Sequence, residues 1–289
     1  MISIRINNII NIVLKYFVRV NYNRNRRPFK KVHKSEFAIF FNDSLSNEII
    51  TDGVYEKDEI SLAVKNIKKN GIILDIGANI GNHSIFFSKY CKEVYAFEAH
   101  PKTFKILNFN CSNYNKIKLF NLGVSDRKGY LFFKKNTKDI IGGRSLKKKG
   151  IIKSKINKLD NILKIKNKIS LIKIDIEGGE YRALIGMEKL IKKNSSIIFI
   201  EFREKSIFVR KQLINFLVKN DYLHAYYFNH EGRYSVGSFV KLIKDIFKII
   251  FLSFKNNKTE LKKMEIKSLI KNNMDCNVIF SKKKLNKLF

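Results

Sequence analysis

The chain has 289 residues, 45% of them hydrophobic, which is enough for one large domain with a sizeable core and some extensions. Lys and Arg outnumber Asp and Glu by 58 to 25, a net charge of +33, yet only 11 of the basic residues are Arg, the side chain suited to bidentate contacts with phosphate and guanine. The lysines run along the whole chain among Ile and Asn, three residue types with A/T-rich codons, so charge alone does not argue for a nucleic-acid partner; Cys91, Cys111 and Cys276 are too scattered for a disulfide framework or a metal site, and a reducing cytoplasm is expected.

At the N-terminus Ile6, Ile9, Ile10, Val13, Phe17 and Val20 recur at helical spacing, with Arg5, Asn8, Lys15 and Arg19 between them. The pattern predicts a basic amphipathic helix. Such a helix suits an anionic membrane surface, or packing on its own domain or on a sister subunit; the oligomeric state stays open. The interrupting polar residues exclude both a spanning run of ~20 apolar residues and a secretory signal. A basic linker, Arg24 to Lys31, follows, so residues 1–50 read as an extension to a domain at 51–289.

A helix from Glu59 to Lys68 is closed by Asn70-Gly71. Strands and helices then alternate. Ile72 to Ile76 is a strand, Asn82 to Lys89 a helix, Glu93 to Phe97 a strand, and Lys102 to Asn113 a helix after Pro101. Ile117 to Leu122 is a strand with a second short one, Tyr130 to Lys134, near it. Leu171 to Ile174 is a strand, Glu180 to Lys193 a helix, Ile197 to Glu201 a strand and Ile207 to Lys219 a helix. Tyr222 to Phe228 and Asn277 to Phe280 are the last two strands. This alternation belongs to a doubly wound, mostly parallel sheet covered on both faces. Between the last two strands, residues 236–272 form an insertion in which Val240, Ile243, Ile246, Phe247, Ile250, Phe251 and Phe254 make an apolar stripe beside Lys241, Lys244, Lys248 and Lys255. This second basic helix carries the same two readings, and the pair makes peripheral association with an anionic membrane an expectation.

The chemistry gathers at the strand ends. After the first strand of the alternation, Gly77-Ala78-Asn79-Ile80-Gly81 supplies a sharp turn and a close approach at a helix start, with Asn82 and His83 opening the helix. A dinucleotide fingerprint needs a glycine where Asn79 stands, so a pyrophosphate fits poorly. S-adenosyl-L-methionine carries no phosphate and tolerates the looser turn. Glu98 closes the second strand, placed to accept both ribose hydroxyls. Asn121 to Asp126 closes the third and can offer backbone groups, with Ser125 and Asp126, to an adenine edge. Lys173-Ile174-Asp175-Ile176-Glu177-Gly178-Gly179-Glu180 puts Asp175 at the carboxyl end of a buried strand, where α/β sheets place their chemistry. Glu177 and Glu180 follow at a helix start, where a carboxylate also serves as a cap. Glu201 ends the next strand at the same crevice.

These blocks, in this order, resemble the FkbM family of S-adenosylmethionine-dependent methyltransferases. The resemblance runs from about Tyr55 to Glu201 and rests on Leu74 to Ser84, Tyr95 to Pro101, Asn121 to Asp126, Lys173 to Glu180 and Ile200-Glu201. It implies a class I Rossmann-like methyltransferase fold with an antiparallel last strand, and an activity directed mainly at hydroxyls of sugars, polyketides and related metabolites. Gly53-Val54-Tyr55-Glu56 is also similar to the family, which implies that Glu56 touches cofactor or acceptor. Mapped onto these blocks, the expected cofactor contacts are Glu56, Asp75, Gly77, Ala78, Asn79, Gly81, Asn82, Glu98, Ala99, Ser125 and Asp126. The proline usual directly after the second-strand acid is replaced by Ala99, and a proline comes only at Pro101.

Methyl transfer to an alcohol needs alignment and removal of the hydroxyl proton. Asp175 is the first choice of base and Glu177 the second, with Glu180 and His83 as further candidates; Arg144, in a glycine loop, can hold an anionic acceptor. No metal is expected from the residue spacing. The expected acceptor is a glycan or small-molecule hydroxyl, within polysaccharide biosynthesis in the cytoplasm. Two rivals remain: a nucleic-acid ribose methyltransferase using Asp175 and Glu201, and a non-catalytic scaffold that keeps the cofactor fold.

Overall fold

The computed structural model describes residues 2–25, 29–32, 35–40, 43–133, 152–202, 206–231, 240, 242–244, 246–247, 258–271 and 276–288. Arg144 with its glycine loop, Lys241, Lys248 and the rest of the second basic stripe beyond 247 lie outside them. The chain divides into two units: Met1–Tyr55 with Lys138–Gly142 and Asn229–Thr259, and Glu56–Thr137 with Gly143–Phe228 and Glu260–Phe289.

The smaller unit holds α1 (Ile2–Arg24), the hairpin of β1 (Phe29–Val32) and β2 (Ser35–Ala38), and α2 (Ser44–Asp52). The stretch read as a basic linker thus enters a strand at Phe29. The α2 helix starts on Asp43, whose carboxylate accepts from the Ser46 N–H at 2.9 Å, and ends on Gly53 in the left-handed conformation. It is tied to α1 by a Lys15–Asp52 ion pair and an Asn23–Asn47 amide hydrogen bond of 3.0 Å. The helical residues at 240–247 belong to this unit, and Leu242 is buried against Ile12 of α1.

The larger unit contains, in chain order, α3 (Lys57–Lys65), β3 (Ile72–Ile76), α4 (Asn82–Phe87), β4 (Glu93–Phe97), α5 (Pro101–Cys111), β5 (Ile117–Phe120), β6 (Gly123–Val124), β7 (Gly129–Phe133), β8 (Ile152–Asn157), α6 (Leu159–Ile162), β9 (Ile169–Ile174), α7 (Glu180–Gly186), α8 (Glu188–Lys193), β10 (Ile197–Phe202), α9 (Ile207–Lys219), β11 (His224–Glu231), β12 (Lys258–Met264) and β13 (Cys276–Ser281). Its main sheet has the order β12-β11-β13-β10-β9-β3-β4-β5. The strands from β10 to β5 are parallel, and β13 runs antiparallel between β10 and β11. This is the Rossmann-like, doubly wound sheet with an antiparallel last strand.

All five residues of β3 are buried, as a central strand covered on both faces requires. Side chains alternate along it. Ile72, Leu74 and Ile76 join the core with Leu184, Leu213 and Leu217 of α7 and α9, and Asp75 points to the other face, toward Ser84 of α4. The chain lays down β3, β4 and β5 in one direction, then returns to place β9 on the other side of β3. The switch between β3 and β9 opens the crevice where such sheets hold ligands.

Four elements depart from the sequence expectation. β7 pairs with β8, not with the main sheet, in a separate sheet β6-β8-β7. β8 buries Ser154 and Ile156 and exposes Lys153 and Lys155, a period of two that contains no apolar run. β12 lies within the stretch read as helical; it is an edge strand, where charged residues are tolerated, and it buries Leu261. The single helix expected from Glu180 to Lys193 breaks at the buried Met187, just after Gly186, where an added Cβ would fall 2.0 Å from the Ser125 carbonyl oxygen.

Candidate active site

The turn after β3 is shaped by its neighbours. Gly77 has φ +81°, and a Cβ there would fall 1.8 Å from the Asp175 carbonyl oxygen. The adjacent strand end therefore excludes a side chain at this position. The N–H groups of Gly77 and Ala78 both donate to the Phe97 carbonyl at 2.9 Å. Gly81, φ +95°, has Cys111 Sγ 2.8 Å and Leu107 Cδ1 2.9 Å from its Cβ position. The close approach expected there is made by α5. Between the glycines, Asn79 also takes a left-handed conformation, φ +50°.

That conformation turns the Asn79 N–H onto Glu98, which accepts it on Oε2 at 3.1 Å and accepts the His100 N–H on Oε1 at 2.7 Å. Each oxygen is oriented by one backbone donor and keeps acceptor capacity for a ligand. Burial pushes the Glu98 carboxyl up to about 7, against the pull of these two N–H groups. Asn79 Oδ1 is buried and meets no hydrogen-bond donor among the described residues. A ligand hydroxyl or ammonium group would satisfy it, so the turn fits the ribose or amino-acid part of S-adenosylmethionine. Asn121 Nδ2 donates to the carbonyls of Glu98 (2.8 Å) and Ala99 (3.2 Å), pinning together the loops after β4 and β5. In the same region Ser125 is buried and donates to Asp126 Oδ1 at 3.1 Å.

Next to the turn lies a line of buried charge. Asp75 is fully buried, accepts from Ser84 Oγ at 2.6 Å, and has Lys173 Nζ 3.3 Å from its Oδ1. It braces the first turn of α4 and the neighbouring lysine. Lys173 stands opposite Asp75 in the register of β3 and β9. It also donates to the Gly77 carbonyl at 2.8 Å and lies 3.4 Å from Asp175 Oδ2. Burial works against its charge, but Asp75 and Asp175 outweigh burial and hold its pKa above the ordinary lysine range. For Asp175, burial opposes ionisation; Lys173 and a side-chain bond with Glu201 overcome it, so its pKa lies below the usual carboxylate value. Its side chain is 32% exposed, so an acceptor can reach it.

A second cluster adjoins. Glu56, left-handed at φ +53°, lies 3.5 Å from His83 Nε2 and accepts from Asn277 Nδ2 at 3.1 Å; the same amide donates to Glu59. Burial, helped by Glu59, pushes Glu56 up to about 8. Burial, helped by Lys173, pushes His83 down to about 4. At neutral pH the pair is therefore mainly a protonated acid beside a neutral imidazole. Glu180 turns back into the loop before α7, its Oε1 accepting from the N–H groups of Gly178 (3.0 Å) and Ile176 (3.4 Å). Glu180 is thus buried at the start of α7 with Oε1 facing the loop before the helix. Glu177 is exposed with φ +58°; Asp175, Glu177 and Glu201 can each offer one carboxylate oxygen, all within 4.8 Å of one another.

Lys173, Glu59 and Asn277 were assigned no role from the sequence. For Lys173 there was a signal: a lysine in the middle of a buried apolar run needs partners. For Asn277, which comes from β13 far along the chain, there was none.

The parallel sheet with this crevice, its glycine turn and its strand-end acid Glu98 is the Rossmann-like methyltransferase fold. Residues 75–228 match the Methyltransferase FkbM domain, and the chain belongs to the FkbM family of S-adenosylmethionine-dependent methyltransferases. It is 27% identical over 169 residues to the hexuronic acid methyltransferase AglP of Haloferax volcanii, across 57% of this chain and 70% of that protein. Among solved structures it is similar to methyltransferase FkbM from Methylobacillus flagellatus, at 15% identity and a TM-score of 0.42, covering 73% of this chain and 43% of that one. A Streptococcus mutans protein in complex with SAH matches at 12% identity and a TM-score of 0.40, over 77% of this chain and 95% of that one.

Proposed function

We propose that the chain is an O-methyltransferase acting on a hydroxyl of a sugar or glycan. The observation that carries this reading is Asp175, an accessible carboxylate 3.4 Å from Lys173 Nζ at the crevice between β3 and β9. Bound S-adenosylmethionine supplies an electrophilic methyl group. Glu98 and Asn79 hold its polar groups, with Ala78, Ala99, Ser125 and Asp126 lining the pocket. Asp175 hydrogen-bonds the acceptor hydroxyl, orients it toward the methyl group that the bound cofactor would present, and takes its proton. A carboxylate of low pKa is a weak base, so orientation carries much of its effect and the proton moves late. Lys173 stays protonated and fixes the carboxylate. Neutral His83 is positioned as a hydrogen-bond partner for acceptor or base.

The similarity to a hexuronic acid methyltransferase supports a sugar acceptor. The positive charge of the chain favours an anionic one. Glycan precursors are the acceptors that this reading favours. The test is transfer from labelled S-adenosylmethionine into nucleotide sugars, lipid-linked glycans and RNA, after calorimetry has confirmed cofactor binding. Label on a glycan hydroxyl supports the reading. Label only in RNA would assign the activity to ribose, and cofactor binding with no transfer to any acceptor would favour the scaffold.

A further inference from the structure

We propose that the smaller unit docks on an anionic lipid bilayer through the outer apolar stripes of α1 and of the helical residues 240, 242–244 and 246–247. Each of these helices carries two apolar stripes. One is spent on the other helix: Ile12 and Leu242 are only 8% and 6% exposed, with Val13 and Ile246 packed beside them. The second faces water. On α1, Ile10, Leu14 and Phe17 follow one another at intervals of four and three residues and are 49%, 57% and 61% exposed. On the other helix Val240 and Ile243 are 63% and 41% exposed. Single exposed apolar side chains need no explanation, but a row of them along each of two packed helices marks an interaction surface.

Charge selects the occupant. The first 35 residues contain nine Lys or Arg and no Asp or Glu. A second copy of the chain would bring two such surfaces together and add repulsion to the contact. A layer of acidic headgroups over acyl chains answers both features, taking the apolar stripes into the acyl boundary and the basic side chains at the headgroups. The docking is independent of the acceptor assignment.

The experiment is co-sedimentation of the full chain with vesicles of phosphatidylcholine alone or mixed with phosphatidylglycerol. Binding is expected only with phosphatidylglycerol. It should fall as salt rises, because the Debye length shrinks from ~10 Å at ~0.1 M to ~3 Å at ~1 M. The double variant Leu14→Glu/Phe17→Glu should cut vesicle partition by at least about tenfold, since two side chains lose their apolar burial, while affinity for S-adenosylmethionine is unchanged. Equal, negligible binding to both vesicle types at low salt overturns the proposal. So does a double variant that dissociates a dimer in sedimentation velocity yet partitions like the parent. Should the variant fold poorly, the lipid and salt dependence of the parent chain decides.

Discussion

The two units treat polar and apolar side chains in opposite ways. In the larger one, Asp75 and Lys173 are buried in the middle of the sheet and bound to each other, to the Gly77 carbonyl and to Asp175. In the smaller one, Ile10, Leu14 and Phe17 stand in water. Buried charge is costly unless paired and hydrogen-bonded, and exposed apolar rows give up the burial that would stabilise the fold. Neither is needed to build a sheet or a helix pair. The contrast teaches that each unit departs from ordinary packing in its own way, and each departure marks the place of one of the two proposals above: an acceptor hydroxyl in one, a lipid surface in the other.

The sharpest way to break the comparison is at Gly77. Gly77→Val in the larger unit drives a branched side chain into the Asp175 carbonyl, 1.8 Å from the first added carbon, so the variant should fail to fold or melt far below the parent in a thermal scan. Lys173→Met comes next. It leaves the Asp75 carboxylate buried without its cation and should cost about 3–5 kcal/mol in a urea titration. A melt unchanged within ~0.5 kcal/mol would show that the line of charge does not hold the sheet. Asp175→Asn keeps the shape and removes only charge; turnover should drop by ~10²–10⁴ while cofactor affinity measured by calorimetry barely moves. Near-parental turnover would shift the role to Glu177 or His83.

Glu98→Ala should weaken cofactor binding by more than about tenfold in a chain that still folds. The sign of its pH dependence follows from its raised pKa. The carboxylate that accepts ribose hydroxyls is the minor form below about 7, so affinity should climb as pH rises through about 7 and then level off, and Glu98→Gln should flatten the curve. The smallest effect belongs to the other unit. Gly53 is left-handed, φ +78°, with nothing within 4 Å of its Cβ position. Gly53→Ala should therefore cost only the backbone term, about 1–2 kcal/mol, read by hydrogen exchange in α2.

Much of the site was legible because its signals are local. Strand β3, strand β4 and helix α9 lie where periodicity placed them, and Glu98 follows the glycine turn at the spacing of one strand–helix–strand unit. Glu180 carries two readings for a local reason as well: an acid at a helix start can serve the loop before it or a reaction, and only the fold shows its side chain turned back to the Gly178 N–H. β8 and β12 escaped because lysines at alternate or edge positions hide a strand from any search for apolar runs.

By itself the sequence determined the alternation of strands and helices, the glycine turn after β3, and the acids at the strand ends. Backbone conformation at Gly77 and hydrophobic period along each segment are properties of a few consecutive residues, and they are written there. The tertiary structure alone decided what those residues touch. It set Lys173 between Asp75 and Asp175, brought Asn277 from β13 to Glu56, gave Gly81 to the packing of α5, and spent one stripe of α1 on Leu242 while leaving the other outside. Such contacts join segments far apart in the chain. They are selected by the register of strands and the packing of helix faces, for which no single segment carries a mark.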